Sequence, residues 1–269
     1  MSLAHSNSAL DKALELISAE GPCSSAYLCA KVLALINADE SMAERLARAM
    51  LDKDPRFART ADRLWALASD TQSAAQALLS ASYVVIDVET TGFAPPADRV
   101  IEIGMVRVEG GRITDSYESL VNPRRPVPGP ISSLTGISCS MLESQPTFDQ
   151  ICAEVVGFLG DSVFVAHNAP FDWRFVQNEV VLSRGKKMLN PRLCTRILAR
   201  RLVPELNRRS LDELALFFNL SFSARHRALG DAEVTARLLL RLLDRAGERG
   251  IETLGGLFEL AAPQTGRKA

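Results

Sequence analysis

Cysteine is too scarce and too scattered to organise this chain. The five residues Cys23, Cys29, Cys139, Cys152 and Cys194 are odd in number and none belongs to a C-x-x-C pair. Neither a disulfide framework nor a zinc knuckle is indicated, and they read as small buried apolar side chains. An excess of one charge is missing as well. With 31 Lys and Arg against 32 Asp and Glu the formal net charge is −1, so no global field attracts polyanions and any nucleic-acid role needs a local basic patch. The start, Met1 to Asp11, has no basic segment followed by an apolar one. The longest apolar runs are cut by Arg or Asp well before the ~18 residues of a membrane span. The expectation is a soluble cytoplasmic protein with no membrane partner. What is present is an ordinary globular composition, 47% hydrophobic and 23% charged, which excludes disordered, collagenous and fibrous classes. A chain of 269 residues, against ~150 per domain, favours two domains over one.

The first of these is read as mainly helical. Leu10, Ala13, Leu14 and Ile17 recur at helical spacing from Ser8 to Glu20, Gly21-Pro22 ends the run, and helices follow at Ser24–Ile36 and Ser41–Leu51. Asp54-Pro55 breaks the chain, and Arg56–Arg59, a turn at Thr60-Ala61-Asp62 and Arg63–Leu67 suit a short hairpin. Three helices and a hairpin are winged-helix-like, assigned to residues 1–70. Residues 1–80 hold eight basic and ten acidic side chains, which favours a docking or structural role over contact with nucleic acid. A linker or connecting helix spans 71–81, since Ser, Ala and Gln there carry no strand pattern.

Beyond it the pattern changes. Tyr83–Ile86 is a β-branched apolar run, Val100–Val108 continues in strand style, and Gly110-Gly111 turns the chain back towards Ile113, which makes a three-strand meander. Asn122–Pro130 contains four prolines and is excluded from helix and central strand. A helix is expected at Phe148–Leu159, a buried strand at Val163–Ala166, and helices at Pro170–Leu182, Thr195–Leu202, Leu211–Phe218 and Asp231–Leu243. The fold class is α/β, a mixed sheet flanked by helices over residues 82–245, with 246–269 as a C-terminal extension.

Four acidic residues at three places in the chain attract attention. Asp87 and Glu89 end an apolar strand, and a period of two puts both carboxylates on one side. Such pairs arise by chance, but strand ends are where sheet enzymes place ligands, and Thr90-Thr91-Gly92 adds a permissive turn. Asp172 follows a buried strand and the turn His167-Asn168-Ala169-Pro170-Phe171. Pro170 suits a first helical position, so a helix-favouring role through the dipole competes with a functional one. His226 and Asp231 are five apart. On one helix their side chains would diverge by about 140°, so they share a site only if His226 precedes the helix, a break for which Gly230 is the candidate.

Taken in order, Val85-Ile86-Asp87-Val88-Glu89-Thr90-Thr91-Gly92-Phe93, Leu134-Thr135-Gly136-Ile137, His167 to Asp172, Arg209 to Leu214 and His226 to Asp231 resemble the DEDDh 3'-5' exonucleases. That group includes the proofreading epsilon subunit of bacterial DNA polymerase III and ribonuclease T. The resemblance spans about Tyr83 to Leu243 and implies a ribonuclease H-like fold with Asp87, Glu89, Asp172, His226 and Asp231 as catalytic positions. Four carboxylates within ~5 Å repel by about 3 kcal/mol per pair at an effective dielectric of 20, so such a site requires cations. All-oxygen ligands suit two Mg²⁺ or Mn²⁺ ions. By resemblance Asp87 bridges both, Glu89 and Asp231 complete the first, and Asp172 supports the second. His226 is the general base, since imidazole titrates near pH 6.5.

The same likeness assigns Thr90, Thr91, Gly92, Phe93 and Leu134 to the pocket of the terminal nucleotide, with His167, Asn168 and Phe171 nearby. Ordinary core packing is the competing reading of Leu134 and Phe171. Nine Lys and Arg against the single acid Glu205 make Arg184–Arg209 the clearest basic segment, a phosphate track or a solvated face. The implied activity is release of nucleoside monophosphates from single-stranded or frayed 3' ends, DNA before RNA, in replication or repair, with a DNA polymerase subunit as a possible partner. RNA 3'-end trimming, and a binding adaptor acting through the N-terminal domain, are the alternatives.

Overall fold

The computed structural model describes residues 9–36, 38–60, 63–68 and 76–262. The chain divides into two compact units, Met1–Ala75 and Gln76–Ala269. The first holds α1 (Ala9–Glu20), α2 (Ser25–Val32) and α3 (Glu40–Leu51), then β1 (Phe57–Arg59) and β2 (Trp65–Leu67) paired antiparallel. Ser24 caps α2 by accepting from the Tyr27 N–H, and Asp39 caps α3 by accepting from the Met42 N–H, each closing an N–H that the helix leaves open. The second helix stops at Val32 rather than Ile36, and Ala34 just beyond has a left-handed φ of 57°. Ser8, the turn residues Ala61 and Asp62, positions 69–70 and positions 71–75 of the expected linker lie outside the described residues.

Ala13, Ile17, Leu28, Ala47, Leu51 and Trp65 form the core of this unit. Three of its arginines are paired with acids of the same unit. Arg59 bonds Glu44 at 2.7 Å and lies 4.9 Å over the Trp65 ring, Arg48 bonds Glu44, and Arg56 bonds Asp54 at 2.6 Å. That pairing removes three of the unit's eight basic side chains from the free positive charge a nucleic-acid surface would use.

The second unit is built on a five-stranded sheet of order β5-β4-β3-β6-β7. The expected meander is β3 (Tyr83–Thr90), β4 (Val100–Glu109) and β5 (Arg112–Leu120), antiparallel throughout. Gly110 and Gly111, with φ of 59° and 72°, give the tight turn both positive angles it needs. β6 (Val163–Ala166) and β7 (Arg192–Cys194) add on in parallel. β3 lies between β4 and β6 and is covered on both faces, hence the unbroken apolar run Val84-Val85-Ile86.

Helices cover both sides. α6 (Phe148–Leu159) and α7 (Ala169–Arg184) supply Phe148, Val155, Phe175 and Val176 to one face, and α8 (Thr195–Leu202), α9 (Leu211–Phe217) and α10 (Ala228–Glu248) supply Leu198, Leu214, Leu239 and Leu242 to the other. Two short helices, α4 (Gly129–Thr135) and α5 (Cys139–Leu142), follow the proline-rich stretch. Pro130, excluded from helix in the sequence reading, sits in the first turn of α4, where its missing N–H costs nothing.

Residues 246–269 are not a separate extension as far as they are described. α11 (Leu254–Ala261) buries Leu254 and Leu257 in the main core, and Thr253 pairs with Ala77 across a β-bridge. Among the described residues no helix is long and apolar enough to cross a membrane.

Candidate active site

β3 carries its apolar run into the sheet centre and ends in Asp87 and Glu89, which share a face. One ligand atom from each of Asp87, Glu89 and Asp231 lies within 4.8 Å of the others. Asp172, in the first turn of α7 and only 3% exposed, reaches the same strand, where its Oδ1 accepts from the Val88 N–H at 3.3 Å. The turn that delivers it is tight, with Asn168 at a φ of 84°. Burial dominates the electrostatics. It holds the Asp87 carboxyl well above the usual range, with Asp172, Glu89 and Asp231 adding repulsion. It raises Glu89 to about 7 and Asp172 to about 8.

Asp231 is also raised by burial, although Arg225 and the His226 N–H pull the other way. Both of those groups donate to Asp231 Oδ2, while Oδ1 is buried without a partner. Hard oxygen donors, mutual repulsion and an orphaned buried oxygen together fit a bound divalent cation, which would relieve the last two.

The helix meets the strand here because of what is missing at two glycines. A Cβ on Gly104, the residue opposite Asp87 on β4, would fall 2.3 Å from the Ala228 backbone. One on Gly230 would fall 2.1 Å from the Ala224 carbonyl oxygen. The start of α10 therefore rests directly on β4. His226 does precede the helix, but the break is at His226 itself, with a left-handed φ of 59°, and at Arg227, the helix cap, while Gly230 lies inside the first turn. Ion pairs with buried carboxylates tie the parts together. Glu102 on β4 takes the Arg227 guanidinium at 2.5 Å and the Ala228 N–H at 2.9 Å. Glu179, two turns beyond Asp172 on α7 and 1% exposed, takes Arg99 at 2.6 Å.

The remaining expected site residues divide into two groups. Phe93 and Leu134 are 76% and 55% exposed, so core packing does not account for Leu134. Thr90, Thr91 and Gly92 form a fixed turn, in which Thr90 donates to the Gly92 carbonyl at 2.6 Å and Asp98 accepts from Thr91 and the Ala94 N–H. Asn168 is exposed beside Asp172. Phe171 is half-buried against Phe175, 5.0 Å between ring centres, and packs on the core.

His167, expected at the substrate, is occupied by the protein. One ring nitrogen meets Thr195 Oγ1 at 2.9 Å and the other meets the Arg209 carbonyl at 3.1 Å, and burial lowers its pKa to about 4. It is a neutral tether between the β6 end and the loop before α9. Of the basic segment, Arg196 and Arg200 are exposed, Arg192 stacks over Trp173, and Arg209 is folded back on the Asn207 and Val203 carbonyls. Sequence reasoning missed Arg225, Glu102 and Glu179. Arg225 adjoins the last motif but its anchor Asp212 lies 13 positions away, and Glu102 and Glu179 pair with arginines 125 and 80 positions distant, outside any motif.

Comparison with known proteins agrees with this geometry. The profile of the family described as Exonuclease matches residues 84–239. DNA polymerase III subunit epsilon of Aquifex aeolicus (strain VF5) is 42% identical over 167 residues, covering 62% of this chain and 83% of that protein. DNA polymerase III PolC-type of Thermotoga maritima is 39% identical over 180 residues, 67% of this chain and only 13% of that much longer one. Among solved structures, "Exonuclease X in complex with 5' overhanging duplex DNA" superposes with a TM-score of 0.56 at 28% identity, over 67% of this chain and 99% of that one. The fold is thus the α/β ribonuclease H-like sheet of those nucleases. With more than half its length matched, the chain belongs to the exonuclease family, as a hydrolase of the DEDD type.

Proposed function

We propose that the protein is a divalent-metal-dependent 3'-5' exonuclease that releases nucleoside 5'-monophosphates from single-stranded or frayed DNA ends. The observation that carries this reading is the meeting of Asp87, Glu89, Asp172 and Asp231, from two strand positions and two helix starts, with His226 bound through its backbone to Asp231. Asp87, Glu89, Asp172 and Asp231 would hold the cations, whose positive charge stabilises the negative charge that builds on the phosphate and the leaving oxygen. His226 takes the proton of the attacking water. The water oxygen bonds to phosphorus as the bond to the 3'-oxygen of the preceding nucleotide breaks. Phe93 and Leu134, apolar and exposed, stack on or wedge the terminal bases, and the turn Thr90 to Gly92 with Asn168 borders the sugar and phosphate.

DNA is preferred over RNA because the relatives are a DNA polymerase III subunit and a DNA polymerase III chain, and a neighbouring structure is a DNA complex. A DNA polymerase is the corresponding partner class, and replication or repair the setting. Matched 5'-labelled DNA and RNA oligomers, with Mg²⁺, Mn²⁺ or a chelator, test the reading. The expected result is a ladder shortening one nucleotide at a time with either ion, faster on DNA and absent with chelator, and slowed by ~10² to 10⁴-fold in His226→Ala. Immediate release of the labelled 5' nucleotide, or equal rates with chelator, overturns it.

A further inference from the structure

Arg225 belongs to none of the sets named so far, yet its guanidinium is fixed on three sides. It forms a two-point pair with Asp212 on α9, at 2.8 and 3.0 Å. It stacks over the Phe222 ring at 5.0 Å. Its Nη1 bonds Asp231 Oδ2 and lies 3.5 Å from His226 Nδ1. Asp212 stays ionised, since Arg225 holds its carboxyl below the ordinary value, so the anchor is a permanent charge pair. The other arginines of this region are spoken for elsewhere: Arg227 serves Glu102, and Arg237 serves Glu233. Asp231 has two oxygens with opposite fates. Oδ2 is satisfied twice, by Arg225 and by the His226 N–H, whereas the buried Oδ1 has no partner at all.

We propose that Arg225 is a positioning residue which, anchored by Asp212, occupies Asp231 Oδ2 so that Oδ1 alone is presented to a divalent cation. This rests on the reading that the carboxylate cluster binds such cations. Without Arg225 the Asp231 carboxylate would be free to rotate about its Cβ–Cγ bond and to turn either oxygen away, with one backbone N–H left to restrain it. Groups that hold a ligating carboxylate from behind are worth about 10- to 100-fold in metal affinity. Lysine cannot replace the fork, because a point charge cannot serve Asp212 with two parallel bonds and Asp231 with a third. A purely electrostatic role makes the opposite forecast, since removing a cation from the site would tighten metal binding.

The test is Mn²⁺ binding to the full chain by calorimetry or by the electron-spin signal of the free ion, alongside the metal-free melting temperature. Arg225→Gln is expected to weaken Mn²⁺ binding at least tenfold, Arg225→Lys nearly as much, and Asp212→Asn by a smaller factor. The Arg225→Gln, Asp212→Asn double variant should bind no more weakly than Arg225→Gln, because both act through one contact. Wild-type or tighter Mn²⁺ binding by Arg225→Gln overturns the proposal. If that variant does not fold, unchanged binding by Asp212→Asn overturns it instead. Asp231→Asn separates the two levels. If the wild type binds Mn²⁺ and Asp231→Asn binds it weakly while Arg225→Gln matches the wild type, only the role of Arg225 falls. If the wild type itself does not bind, the cluster reading falls and takes this one with it.

Discussion

At the scale of single residues, the site is a place where the fold tolerates unfavourable electrostatics. Asp172 has its carboxyl raised by burial to about 8, against an ordinary 3.8, so the metal-free folded state binds its proton more tightly than the unfolded chain does. The sign follows from linkage: this group's contribution to stability is fully present below about pH 4 and is lost as pH rises towards 8. Glu89, raised from an ordinary 4.5 to about 7, acts in the same direction over a narrower window. Asp172→Asn keeps an oxygen for the Val88 N–H and removes the titration. Without metal, its melting temperature should match the wild type near pH 4 and exceed it by ~2 to 8 °C near pH 8, the shift for about 1 to 2 kcal/mol in a domain of this size. Mg²⁺ should raise the wild type at pH 8 but not the variant, and the variant should have lost digestion. Equal melting at both pH values would show that Asp172 is ionised at little cost, and with it that the cluster is not poised for cations.

At the scale of elements, what the sequence made legible was whatever rests on local periodicity. α6, β6 and α8 fall where the apolar spacing and caps put them, and the strand carrying Asp87 and Glu89 is legible as an unbroken apolar run because its neighbours on both sides cover it. The three-residue β7 was invisible, since its pairing with β6 is long-range and Arg192-Leu193-Cys194 has no pattern of its own. For His167 a motif shows the residue type but not that Thr195 and the Arg209 carbonyl take both ring nitrogens. Gly104 is likewise silent in sequence, although it sets how closely α10 approaches β4. Gly104→Ala forces a Cβ against Ala228 backbone at 2.3 Å, and overpacking of that kind costs about 1 to 3 kcal/mol. The expected outcome is a lower melting temperature together with Mn²⁺ binding weakened more than in a core variant of equal stability loss, because Asp231 moves with the helix. On α8 the exposed Arg196 and Arg200 share a face, whereas Arg201 turns away and its guanidinium bonds the Ala262 carbonyl at 3.5 Å. Replacing the first two by Gln should weaken binding of single-stranded DNA and flatten its salt dependence by ~1.4, about 0.7 for each phosphate no longer neutralised. Arg201→Gln should leave the slope alone. An unchanged slope in the double variant would make this face a solvated surface.

At the scale of the whole molecule, the division of labour between the two units is open to a direct test. Asp87, Glu89, Asp172, His226 and Asp231 all belong to the unit Gln76–Ala269, which has its own core on both faces of the sheet. The first unit has a separate core around Trp65, and its arginines Arg48, Arg56 and Arg59 are paired with acids of the same unit. Arginines already paired with acids contribute little to counterion release when nucleic acid approaches. Two consequences can be measured on a chain beginning at Gln76. Its rate on a short single-stranded oligomer at saturating concentration should equal that of the full chain within about twofold, since no group assigned to the chemistry is removed. Its salt slope for single-stranded DNA should also be unchanged, because the exposed Arg196 and Arg200 remain. Matched, mismatched and duplex ends digested in parallel would then show whether the first unit acts on substrate choice. A shortened chain that melts normally but loses rate on the short oligomer, or whose salt slope flattens by ~0.7 or more, would mean that residues 1–75 contribute directly to the substrate path, against the internal pairing of their charges.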